Sequence, residues 1–258
     1  MGGSHTTLSL ISLTSENVRH SADPSITVTA THYLVAAMET QSKGTFPNLF
    51  GELDTPSWFR RLADIPGMRF EPHQTLDRTK LRGHDSVPKV EVYEFDGKPY
   101  QSLLWSINNG ETSASPARQH ALREYGGVSS TKLIRNAYQC LELPGCPSDY
   151  HFLIQSCAQE LWKRRREEPC VLEDVENLCW LDIQLIQTRP DVITDEFAGE
   201  PKFYNVVAFS TLIEMYEREG FLQEAEEVAA RAGAFKQCER DRQRLRERIA
   251  AVEAEDGD

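Results

Sequence analysis

The chain has 258 residues, 40% of them hydrophobic and 26% charged, which is enough for one large domain or two small ones with real cores. Its 28 basic and 40 acidic residues leave a net charge of −12, without the basic footprint expected of a duplex-binding protein. No run of about 18 apolar residues occurs, so no transmembrane helix is predicted.

Residues 1–37 read as a flexible leader, rich in Ser and Thr and almost uncharged. No basic stretch precedes LSLISL, so a secretory signal fits poorly. Gly2 with Thr6 matches only the loose myristoylation pattern, and Met38 is an alternative start. Ile26 to Met38 is rich in β-branched residues and reads as a strand with a helix-friendly end.

Residues 38–115 read as a small α+β region. In DTPSWFRRLADIPG, Thr55 caps, Pro56 suits a first helical position and Pro66-Gly67 ends the turn, giving a short helix with Trp58, Phe59 and Leu62 toward a core. PKVEVYEFDGKPYQSLLWSIN is a β-hairpin pattern around Asp96-Gly97, with Pro99 pointing to an edge position. Asn108 to Pro116 reads as a loop.

Residues 116–258 read as a helical domain with an acidic tail. Helices are expected near 116–125, 130–142, 149–168, 171–188, 203–219, 222–232 and 235–252, separated by Gly126-Gly127, Pro144-Gly145 with Pro147, Pro169, Pro190, Pro201 and Gly220. In the last helix Cys238, Leu245, Ile249 and Val252 share a stripe. The predicted class is therefore α+β: a small N-terminal part with a β-hairpin, then a mainly α-helical part.

Candidate chemistry is sparse. Arg78, Lys80 and Arg82, with His84 beside them, would share one side of an extended segment and suit an anionic ligand. This Arg78–Asp85 loop supports an alternative reading as a small enzyme or ligand-binding domain. His84-Asp85 lacks further ligands at useful spacing, so no metal is expected. The 117–138 segment has the order of a helix-turn-helix and supports a further alternative, nucleic-acid binding, for which its second helix offers only Lys132 and Arg135 as phosphate partners. WKRRREE ends a helix, where its cations favour the macrodipole.

The six cysteines form no C-x-x-C and read as buried free thiols of a reducing, intracellular and most simply cytoplasmic setting. No phosphate-binding glycine loop, nucleophile elbow or dinucleotide fingerprint occurs, so no catalytic residue and no cofactor is assigned.

FSTLIEMYEREGFLQEAEEVAARA, Phe209 to Ala232, carries the most specific pattern. Phe209, Leu212 and Tyr216 share a face, Gly220 breaks the chain, and Ala225 and Ala232 are small enough for close helix approach. These 24 residues resemble a tetratricopeptide or pentatricopeptide helical hairpin, with departures at Ile213 and Ala229. Tyr150, Leu153, Ile154 and Cys157 repeat the spacing 59 residues earlier, which is neither family's period. Generic antiparallel helix packing accounts for the same stripe and small residues.

The tetratricopeptide side of the resemblance implies a helical docking surface. The pentatricopeptide side implies single-stranded RNA read near Ser210, which one hairpin in an acidic chain is not expected to achieve. The leading expectation is a non-enzymatic adaptor or assembly subunit whose partner is another protein or complex. Phe209, Tyr216, Leu245 and Ile249 are its candidate partner-binding residues.

Overall fold

A computed structural model describes residues 61–72, 74–95, 98–195 and 202–256. The leader at 1–37, the strand expected at 26–38, Trp58, Phe59, His73, the Asp96-Gly97 dipeptide and Pro201 lie outside these residues. The architecture is α+β. A three-stranded antiparallel sheet of order β1-β2-β3 (Lys89–Phe95, Lys98–Ile107, Gly110–Thr112) precedes a helical part.

The β1–β2 register pairs Lys89 with Leu104 and Phe95 with Lys98. β2 is central in the order, yet β3 pairs only with Trp105–Ile107. Among the described residues, β2 is therefore itself an edge at Pro99, where a residue without an N–H is tolerated. Beyond Ile107 the chain turns at Asn108 and Asn109 and forms β3 where the sequence reads as loop. Three residues are too few to carry an alternation.

Seven α-helices follow among the described residues: α1 (Pro116–His120), α2 (Ser130–Leu141), α3 (Pro147–Arg164), α4 (Leu172–Thr188), α5 (Val207–Glu219), α6 (Leu222–Gly233) and α7 (Glu239–Asp256). α1 is shorter than expected. Asn136 of α2 draws the chain off the helix, its amide donating to His120 O at 3.0 Å and its carbonyl accepting from Leu122 N–H at 3.2 Å. α2 starts as expected, with the Ser129 hydroxyl accepting from Lys132 N–H. α3 begins earlier because Pro147 occupies the first turn, and Asp149 accepts from Cys146 N–H at 3.1 Å.

α5 starts at Val207, four residues later than the spacing predicts, after a two-residue ladder of β4 (Thr194–Asp195) with β5 (Lys202–Phe203). Its first amides are capped from afar: Val206 N–H donates to Gln237 Oε1 at 2.9 Å, and Val207 N–H to Gln155 Oε1 at 3.3 Å.

α5 and α6 meet at Gly220, whose φ of +87° is left-handed. Phe221 N–H donates to Tyr216 O at 2.8 Å and Gly220 N–H to Glu217 O at 3.4 Å, the paired bonds of a Schellman motif. Left-handed φ at Lys236 and Cys238 delays the last helix to Glu239. α3 packs on α4, α5 on α6 and α6 on α7. Leu62, Ile65 and Leu81, which precede the sheet, join the same core as Tyr150, Ile183, Phe209 and Val228.

Candidate functional site

The four cation-loop residues do not converge on one point. Arg78–Lys80 is a single 3-10 turn capped by Asp77, so the cations do not line one side of an extended segment. Arg78 Nε donates to Glu142 Oε2 at 2.7 Å, and that carboxylate is buried at the end of α2. Lys80 pairs with Asp77 at 3.3 Å, and Arg82 Nη2 donates to Asn108 Oδ1 at 3.1 Å. His84 Nδ1 lies 3.2 Å from Leu81 O. The Thr79 hydroxyl, then Lys80, hold the Asp77 carboxyl below its ordinary range. The segment reads as a folded connector with its charges turned to local partners.

The glycine turn ahead of α2 is held by a residue that sequence reading places only at a helix end. Arg164 of α3 donates from Nη1 to Val128 O at 2.6 Å and Ser130 Oγ at 3.3 Å. Its Nη2 reaches Tyr125 O at 3.2 Å and Glu160 Oε1 at 2.8 Å. One guanidinium thus ties the left-handed Gly127 turn to α3. Arg165 stacks over Trp162 at 3.9 Å and donates to Glu214 Oε1 at 3.2 Å. Two arginines of the basic cluster therefore serve the fold.

The four candidate partner residues divide in two. Phe209 and Leu245 are fully buried and belong to the core, so neither side chain can meet a partner in this fold. Tyr216 is half-buried. Its hydroxyl accepts from Trp180 Nε1–H at 2.8 Å and donates to Glu176 Oε1 in a very short bond. Burial, then the Glu176 carboxylate, push the Tyr216 phenol up to about 12. Arg231 lies over the Trp180 ring at 5.2 Å.

Ile249 sits in an open groove of about 290 Å³ between the start of α6 and the second half of α7, with Gln223, Glu226, Arg246, Ala250 and Glu253. Two ion-pair clusters fix α7 there. Glu217 of α5 takes Arg244 and Arg248, and the Arg244 bond holds its carboxyl below the ordinary range. Glu226 of α6 takes Arg242 at 3.0 Å and Arg246 at 2.8 Å. Phe221 at the hairpin tip is 53% exposed, and Val252 on α7 is 49% exposed.

Away from this surface, His151 Nδ1 lies 2.6 Å from Asp182 Oδ1, joining α3 to α4 with both side chains buried. Asp182 Oδ2 has no hydrogen-bond partner among the described residues. The space beside it, between Gln155, Cys179, Val207 and Thr211, has no room for a water molecule. A substrate could not reach either group, so the pair is structural.

All six cysteines are free thiols. Burial pushes Cys140 and Cys179 well up and Cys157 up to about 12, which leaves these thiols unreactive. Among the described residues, no group of three or more His, Cys, Asp or Glu side chains is placed to hold a metal, and no helix is long and apolar enough to cross a membrane. Comparison with known proteins finds no matching family model, no matching curated protein and no matching solved structure.

Proposed function

We propose that this chain is a non-enzymatic adaptor or assembly subunit that uses its helical part as a docking surface. The observation that carries this reading is the open α6–α7 groove around Ile249, on helices that also leave Phe221 at the hairpin tip and Val252 on α7 exposed. Ile249 and Ala250 there are rimmed by Gln223, Glu226, Arg246 and Glu253, the apolar-centre, polar-rim arrangement of contact sites. In this reading the α5–α6 hairpin is one repeat-like layer of a helical stack, and the groove is the face where the stack is left open. Six free thiols, with Cys140, Cys157 and Cys179 buried and Cys170 exposed, suit work in a reducing compartment inside the cell.

The test is capture from native extract by the full chain, with mass spectrometry, compared with Phe221→Glu. The expected result is a partner retained in stoichiometric amount by the wild type and lost by the variant, whose exposed position leaves folding intact. A wild-type chain that retains nothing, or a variant that retains the same partner equally, contradicts the reading.

A further inference from the structure

We infer that the occupant of the α6–α7 groove is a second copy of this chain, with the two α7 helices packed antiparallel across a two-fold axis. The inference rests on reading the groove as a docking surface and adds what fills it.

The length of α7 comes first. Its 18 residues make a helix of about 27 Å, while the 12 residues of α6 reach only about 18 Å. The two are antiparallel neighbours, since Gln223 and Glu226 at the start of α6 face Ile249, Ala250 and Glu253 late in α7. The apolar stripe at Leu245, Ile249 and Val252 follows helical spacing, yet its cover runs out along the helix. Leu245 is buried, Ile249 half-buried and Val252 exposed. The stripe outlasts the helix that packs on it, and Val252 is left facing solvent.

Charge then selects the occupant. Glu239–Arg248 holds five arginines against three acids, whereas Ile249–Asp256 holds three acids and no base. Arg240 at one end and Glu253 and Glu255 at the other are in no ion pair among the described residues. Arg244, Arg246 and Arg248, although paired with Glu217 and Glu226, keep about half of their side chains exposed. A second α7 laid parallel would set acid against acid. Laid antiparallel, it sets each acidic end against the other copy's arginines and opposes the two helix dipoles. The same patch then serves both copies, and the contact closes as a dimer.

Sedimentation velocity of the full chain, from micromolar to submillimolar, reads this directly. The expected result is a monomer–dimer equilibrium that weakens as salt rises. Val252→Glu should weaken it about tenfold or more, the effect of losing one buried valine from an interface. Glu253→Arg with Glu255→Arg should weaken it as well, and circular dichroism should show both variants folded. A chain monomeric at every concentration overturns the inference, as does a dimer that Val252→Glu leaves unchanged. If the chain is monomeric yet captures a different protein that Phe221→Glu releases, the self-association falls while the adaptor reading stands. If the dimer forms and responds to Val252→Glu but no other protein is captured, the self-association holds and the wider adaptor reading falls.

Discussion

Replacing His151 with alanine is expected to cost about 3 kcal/mol of folding stability, the upper end of the penalty for leaving a buried polar group without its partner. The ring bridges α3 and α4, with Nδ1 2.6 Å from Asp182 Oδ1. One proton is shared between Nδ1 and Oδ1 across that distance. Without the ring, Asp182 loses the partner of Oδ1, and its Oδ2 already has none among the described residues. Urea unfolding followed by circular dichroism measures the loss. The double variant His151→Ala with Asp182→Ala should cost no more than His151→Ala alone, because the orphaned polar group disappears with its partner. A loss of about 1 kcal/mol, typical of an exposed ion pair, would show that the pair does not hold the two helices together.

Phe209→Ala should be comparably damaging, at about 3–5 kcal/mol, through lost burial and the cavity left behind. The Phe209 ring is fully buried on α5, 5.8 Å from that of Phe235, which in turn meets Phe203 edge-on at 5.5 Å. The row fastens β5, α5 and the end of α6 to one another. Phe209→Leu, which keeps most of the volume, should cost about 1.5 kcal/mol or less. Thermal and urea unfolding of both variants distinguish the roles. A negligible effect of Phe209→Ala on stability would return this residue to the surface, where its spacing on the hairpin first placed it.

The helical part was legible where local chemistry sets the boundary. Ser129 opens α2 by capping its own first turn, and Gly220 closes α5 by accepting a left-handed backbone. Boundaries set by distant residues were not legible. Nothing near Val206 announces that Gln155 and Gln237 will satisfy the first amides of α5. Nothing in WKRRREE announces that Arg164 will fill a turn more than thirty residues earlier. The cation loop shows the same limit in reverse. Alternating Arg, Thr and Lys suits an extended segment, but Asp77 caps a 3-10 turn there and buried Glu142 claims Arg78.

The candidate surface was half legible for a related reason. Period 3.6 places Leu245, Ile249 and Val252 on one stripe, and the helix confirms that spacing. Which end of the stripe meets protein and which meets solvent depends on where α6 begins beside it. That is a tertiary fact, and it moves the exposed apolar surface from Phe209 and Leu245 to Phe221 and Val252, with Ile249 half-buried between α6 and α7.

Hydrogen–deuterium exchange of the full chain, free and bound to its occupant, tests the docking claim most directly. Dilution of the dimer supplies the two states, or addition of the captured partner. Protection gained at Phe221–Ala225 and Ile249–Glu255, with Arg78–Asp85 and Pro116–Leu141 unchanged, is the predicted result. Protection confined to Arg78–Asp85 or to Pro116–Leu141, with the α6–α7 groove unaffected, would contradict it.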